Sequence, residues 1–250
     1  MEMIDVAVVT ALTEEAALFH DEFALTPLDL GALPGGDARF HRGETAAGLS
    51  IVVIVTGPGR AAAAEGMALF FSQYRPHLVI AGGIAGGVGA EVSVGDVVIA
   101  DETVCYDEDA TALKMPLGTL RRERASVTPA PDSLALRDAA AGIAGRHARA
   151  VRRGRIASGD TLLTRRTLSA LPENRRRMIE GAIAVDMESS VWMAFAHRGG
   201  TPIVLTRFIS DHVTGGDRLG FVHACETIGE IITEMLRSCR MGPDGAIVMQ

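Results

Sequence analysis

Aromatic side chains make up only 4% of this 250-residue chain. Any core must therefore be aliphatic, and a hydrophobic fraction of 48% is enough to build one. Cysteine is also scarce. Cys105, Cys225 and Cys239 are odd in number and no pair has CxxC spacing. That argues against a disulfide framework or a zinc site, and for a reducing, cytoplasmic setting. Positive charge is not in excess: the formal net charge is −7, which disfavours a long nucleic-acid partner. No apolar run approaches the roughly 20 residues of a membrane span, so no membrane partner is expected. The start, Met1-Glu-Met-Ile-Asp5, has no basic region followed by an apolar stretch, so no signal peptide is expected.

What is present is glycine, 28 residues of it, and an alternation of apolar strands with helical stretches. Val6–Thr10 reads as a strand buried on both faces, Leu49–Thr56 and Pro202–Arg207 as further buried strands, Leu78–Ala81 as a strand and Gly95–Ala100 as a turn and a strand. Arg155–Ala157 and Ile183–Val185 are shorter ones. Helices are expected over Thr13–Phe23 with Thr13 as the cap, and over Arg60–Gln73, Asp132–Ala150 and Leu171–Ile179. Two more are expected over Ser189–His197 and Leu219–Arg237. Gly82–Gly87 reads as a glycine-rich turn, residues 107–131 as a long loop, and 241–250 as a loose tail. The arginine clusters at 121, 122 and 124 and at 175–177 are expected to face water. The pattern predicts a single α/β domain over residues 1–250, a three-layer α/β/α sandwich with a mostly parallel, mixed central sheet.

Gly57-Pro-Gly59-Arg-Ala-Ala62 matches the GxGxxA form of a dinucleotide fingerprint between a strand and a helix. The fingerprint needs an acid about 20 residues on, at the end of the next strand. Here glycines follow that strand, Glu65 comes too early and Glu91 too late. No nicotinamide cofactor is expected, and the segment reads as tight strand-to-helix packing. The seven histidines, His197, His212 and His223 among them, lack metal-binding spacing, so no metal is expected either.

Ligands of open α/β sheets sit beyond the carboxyl ends of the strands. Glu14 and Glu15, Glu188, and Asp211 all follow strands. Cleaving a glycosidic bond builds positive charge on the sugar and negative charge on the leaving group. It calls for one carboxylate to activate water and one acid to protonate the leaving group. A third carboxylate can hold sugar hydroxyls.

Ala184-Val-Asp-Met-Glu188 followed by Arg207-Phe-Ile-Ser-Asp211 resembles the paired signature of the nucleoside phosphorylase family. Ser158-Gly-Asp160 and Val94-Gly-Asp-Val-Val98 are similar to further segments of it. Ala11-Leu-Thr-Glu-Glu15 and Tyr106-Asp-Glu-Asp-Ala-Thr111 resemble its hydrolytic branch, the methylthioadenosine/S-adenosylhomocysteine nucleosidases. The likeness covers about residues 4–240. It implies a homodimer and a set of roles. Glu15 would be the base on water, Asp211 the donor to purine N7, and Glu188 the acceptor for the ribose hydroxyls. Met187 would pack on the sugar, while Arg207 and Ser210 orient Glu188 and Asp211. Ala85, Gly86 and Leu163 would line the base and ribose site. A core Met187 and a surface ion pair at Arg207 are the plainer readings of those two residues.

Phosphorolytic relatives hold phosphate with arginines and a serine in the turn after the third strand. That turn reads Gly83-Ile-Ala-Gly86 here, and a dianion needs charge-assisted donors it does not supply. Water is the better nucleophile. Ile84 also departs from the usual serine of the hydrolytic branch, and Leu162 and Leu163 replace its usual stacking aromatic, at a cost of ~1 kcal/mol. Methylthioadenosine, adenosylhomocysteine, deoxyadenosine, futalosine and bulkier adenosyl conjugates stay open as substrates. So do two other functions: a phosphate-dependent phosphorylase drawing on Arg60 or a partner subunit, and a nucleoside-binding module without catalysis.

Overall fold

A computed structural model describes residues 1–31, 35–115, 119–120, 123–124, 126–130 and 133–250, with side chains at 119, 120, 123, 124 and 126 left aside. The chain begins with β1 (Glu2–Thr10), α1 (Thr13–Glu22), β2 (Thr26–Leu28), β3 (Arg39–Glu44) and β4 (Ser50–Val55). It continues through α2 (Arg60–Gln73), β5 (Tyr74–Gly87) and β6 (Val97–Cys105). Among its described residues the expected long loop carries a 3-10 turn (Thr111–Leu113), the paired strands β7 (Thr119–Leu120) and β8 (Glu123–Arg124), and β9 (Ser126–Val127). Then come α3 (Leu134–Ala144), β10 (Val151–Ser158), α4 (Arg165–Ala170), α5 (Glu173–Ile179), β11 (Ala182–Asp186) and α6 (Ser189–Gly199). β12 (Ile203–His212), α7 (Phe221–Ser238) and the hairpin β13 (Cys239–Met241) with β14 (Ile247–Met249) close the chain.

Among the described residues the strands join in the order β11-β10-β6-β12-β5-β1-β4-β3-β2. The centre, β4-β1-β5-β12, is parallel, and so is the edge β11-β10-β6; β12 meets β6 antiparallel, and β2 and β3 make an antiparallel edge on β4. β11 also runs antiparallel to β5, pairing Ala184 with Gly87 and Val185 with Gly86. The half of the sheet holding β12, β6 and β10 thereby closes on itself.

Burial on both faces follows the two-residue period of a strand. In β1, Val6 and Val8 pack with Phe19 of α1 and Ile228, Ile232 and Met235 of α7. Ala7 and Val9 face the other way, towards Met67 and Phe70 of α2 and Trp192 and Met193 of α6. Helices α1, α3 and α7 thus cover one face, and α2 and α6 the other. This is the expected α/β/α sandwich with a mixed central sheet.

Several local expectations change. Thr13 opens α1 rather than capping it, because Leu12 occupies the cap position. The Gly82–Gly87 segment is no turn; it extends β5, and none of its glycines has positive φ. Residues 241–250, expected to be loose, fold back as the β13–β14 hairpin, with Ile247 buried in the core beside α3 and α7. The helix expected to reach Ala150 ends at Ala144. Its expected first residue, Asp132, lies outside the described residues, as do the Arg121, Arg122 and Arg124 side chains. Arg176 and Arg177 are exposed and Arg175 is partly so. Among the described residues no helix is long and apolar enough to cross a membrane.

Candidate active site

The carboxyl ends of β1, β4, β5, β10, β11 and β12 converge, and with them the expected acids. Glu15 sits in the first turn of α1, one turn after β1. Its carboxylate reaches back over the helix start: Oε2 accepts from Ala11 N at 3.0 Å and Leu12 N at 2.9 Å. Oε1 accepts from Ile84 N of β5 at 2.9 Å. Three backbone donors therefore hold a side chain that is only 1% exposed. Burial pushes its pKa up, opposed by the nearby Arg207 and by those three N–H groups.

Arg207, on β12, is buried to 1% exposure and is no surface ion pair. Its Nε lies 2.7 Å from Asp186 Oδ2 and donates to Ser189 Oγ at 3.0 Å. NH2 donates to Glu188 Oε2 at 3.1 Å, and the guanidinium carbon lies 4.6 Å from the Trp192 ring centroid. This environment keeps the arginine charged: burial works against the charge, while Asp186 and then Glu188 outweigh it.

Glu188 stands between β11 and α6 and is 5% exposed. Its second oxygen, Oε1, accepts from Gly59 N at 2.9 Å, from the start of α2. Burial raises its pKa to about 7; Asp186 and Glu15 push the same way, and Arg207 and the Gly59 N–H oppose them.

The glycines of β5 explain how these groups meet. A Cβ on Gly83 would lie 2.4 Å from Arg207 NH1 and 2.6 Å from Glu15 Oε1. Only a bare backbone lets the guanidinium and the carboxylate approach there. These glycines are required for space, which is why a reading based on turn propensity missed the strand.

Asp211 reaches the site through a bulge. Ile209 pairs with Ala85 and Asp211 with Gly86, leaving Ser210 as the extra residue of β12. Ser210 Oγ donates to Asp211 Oδ1 at 2.9 Å and also lies 3.4 Å from Ala85 O. Asp211 lines a cavity of about 50 Å³ with Gly86, Leu163, Val185, Asp186 and Met187, so Met187 faces the cavity. Leu162 also borders it and is 70% exposed. His212 turns elsewhere, with Nδ1 2.8 Å from Thr214 Oγ1 and Nε2 2.9 Å from Gly89 O. Among the described residues no three metal-ligating side chains gather.

Sequence reasoning passed over three supports. Asp186 anchors Arg207 and accepts from Ser158 Oγ at 2.6 Å and from Ser189 Oγ. Its signal was present: Asp186 and Glu188 lie two residues apart at a strand end. Trp192 stacks on the arginine, and nothing in its helical position foretells that. Tyr106 donates to Thr161 O at 2.7 Å and fills the space a Cβ on Gly159 would need.

The model of the phosphorylase superfamily matches residues 5–237. The chain belongs to the phosphorylase superfamily. Within it the likeness is to the methylthioadenosine/S-adenosylhomocysteine nucleosidase branch. The 5'-methylthioadenosine/S-adenosylhomocysteine nucleosidase of Actinobacillus succinogenes is 33% identical over 186 residues, spanning 74% of this chain and 78% of that protein. The crystal structure of the Neisseria meningitidis enzyme of the same name, in complex with methylthio-immucillin-A, superposes with a TM-score of 0.76. It is 26% identical and covers 95% of this chain and 100% of its own. Futalosine hydrolase of Helicobacter pylori shares the superfamily fold, with a TM-score of 0.73 at 18% identity over 93% of this chain and 96% of its own.

Proposed function

We propose that this phosphorylase-superfamily protein is a hydrolytic nucleosidase. It cleaves the N-glycosidic bond of a purine nucleoside, methylthioadenosine or S-adenosylhomocysteine, to free base and ribosyl product, and it works as a homodimer. The observation that carries the hydrolytic reading is the charge around Glu15. Arg207 is already held by Asp186 and Glu188, and Arg60 by Asp107, Asp160 and Glu108 at 2.9, 3.2 and 3.4 Å. A phosphate dianion beside Gly83 and Ile84 would meet the Glu15 carboxylate while the arginines of the site are committed to acids. Water meets no such repulsion. Arg60, the arginine of this chain that a phosphorylase could have recruited, is thus accounted for.

In this reading Glu15 takes a proton from water as it attacks the anomeric carbon, its orientation held by the three N–H groups. Asp211, steadied by Ser210, supplies a proton or hydrogen bond to purine N7 as the base leaves. Glu188 spends one lone pair on each oxygen holding Gly59 N and Arg207; the remaining ones accept from the ribose hydroxyls and stabilise the cationic sugar. The similarity to named methylthioadenosine/S-adenosylhomocysteine nucleosidases supports the choice of substrate. A binding module has no need of a buried carboxylate fixed by three backbone donors.

The test is base release from methylthioadenosine, S-adenosylhomocysteine, adenosine and inosine, followed by chromatography with and without phosphate. Release should not depend on phosphate, and Glu15→Gln should abolish it while nucleoside binding persists. Release only with phosphate would refute the hydrolytic reading.

A further inference from the structure

The Gly57–Ala62 segment that imitates a dinucleotide fingerprint enters the chemistry above only through the Gly59 N–H on Glu188, yet more of it is built into the site. Gly57 and Gly59 both take positive φ, 85° and 90°, so the chain turns sharply from β4 into α2. The first amides of the helix then point at acids of the protein itself. Gly59 N donates to Glu188 Oε1, and Arg60 N to Asp160 Oδ1, both at 2.9 Å.

The Arg60 side chain folds over the same place. Its Nε and NH2 donate to Asp160 Oδ2 at 3.3 and 3.2 Å, NH2 lies 2.9 Å from Asp107, and NH1 lies 3.4 Å from Glu108 and touches Cys105 Sγ. The other Asp107 oxygen accepts from Asp160 N at 2.9 Å. The guanidinium therefore ties three chain segments together: the start of α2, the residues after β6, and the residues after β10. The last of these runs on into Thr161, Leu162 and Leu163 at the cavity wall.

We propose that Arg60 is a positioning residue that holds the Gly59 N–H on Glu188 and the Thr161–Leu163 wall in register by clamping Asp107, Glu108 and Asp160. The proposal rests on the nucleosidase reading, in which Glu188 binds the ribose hydroxyls. Without the guanidinium, three carboxylates would face one another across the joint. The helix start would shift and Glu188 would lose an oriented donor. Arginine suits the task because its planar fork presents five donors to three acids; lysine offers three donors from a single point.

The experiment compares wild type, Arg60→Met and Arg60→Lys on a purine ribonucleoside and its 2′-deoxy counterpart, with melting temperature recorded for each. The deoxy substrate lacks a hydroxyl that Glu188 would hold, so it should be less sensitive to Glu188 misplacement. Arg60→Met should lower kcat/KM for the ribonucleoside roughly tenfold more than for the deoxynucleoside, and Arg60→Lys should recover part of that difference. An unchanged ribo-to-deoxy ratio in Arg60→Met, whether both substrates lose activity equally or neither does, would overturn the assignment. If Arg60→Met does not fold, Arg60→Lys carries the same comparison, and a wild-type ratio there overturns it. A wild-type protein that releases no base from any purine nucleoside would instead remove the nucleosidase reading, and this role with it.

Discussion

A single methyl group at Gly83 tests whether Glu15 and Arg207 work as one device. In Gly83→Ala the new carbon would stand 2.4 Å from Arg207 NH1 and 2.6 Å from Glu15 Oε1. Ordinary contact requires each to retreat by about 1 Å. Neither is free to do so. Glu15 is pinned by Ala11, Leu12 and Ile84, and Arg207 by Asp186, Glu188 and Ser189. Strain of this kind costs about 1–3 kcal/mol of stability, or a melting-temperature loss of about 2–12 °C for a chain of this length. The chemistry should suffer more, because a displacement of about 1 Å at a reacting group costs about a hundredfold in rate. The assay is base release at saturating nucleoside, alongside a thermal melt followed by circular dichroism. The expected result is a folded protein with kcat about a hundredfold down. Wild-type kcat in a folded Gly83→Ala protein would refute the coupling of Glu15 and Arg207 through β5.

Other predictions use the same buried charges. Glu188 has its pKa raised from 4.5 to about 7, so between those values the native state keeps a proton that the unfolded chain releases. Stability should therefore fall as pH rises from about 4.5 to 7, by up to ~3 kcal/mol. Melting curves across that range should flatten in Glu188→Gln; an unchanged slope would contradict the shift. In the active enzyme, kcat/KM should rise with pH to a plateau above about 7, as Glu188 ionises in the free protein. Arg207→Met leaves Asp186 and Glu188 buried without their counter-ion, a loss of about 3–5 kcal/mol and about 10 °C in melting temperature. Adding Asp186→Asn should recover part of it, measured in the same melts.

Much of this was legible in the chain because it rests on local physics. The apolar run of β1 is unbroken by polar residues, since both of its faces are covered by helices. The Ala-rich helix Arg60–Gln73 has the boundaries its glycines and apolar periodicity mark out. Glu15 and Glu188 could be picked out as acids following strands, and Asp211 as an acid at the end of one; parallel β1, β5 and β12 bring their carboxyl ends to one side, and β11 reaches the same place by pairing antiparallel with the end of β5. The resemblance in VDME and RFISD then supplied a chemistry for them.

Other features depend on partners far along the chain, and only the fold decided them. β3 reads as polar, Arg39–Glu44, and becomes a strand because β4 offers an edge. The glycines after Ala81 look like a turn until Ile232, Glu15 and Arg207 arrive to fill the space they leave. The tail is rich in Gly and Pro, yet Ile247 finds a core position beside α7. Asp186 is marked only as an acid at a strand end and Arg60 not at all; their roles exist only where Asp186 meets Arg207 and where α2 meets the segments after β6 and β10. The sequence by itself determined the layers, the strand ends and the acids. Tertiary structure decided which charge faces which, because electrostatic pairing depends on distance through space, and sequence separation does not report it.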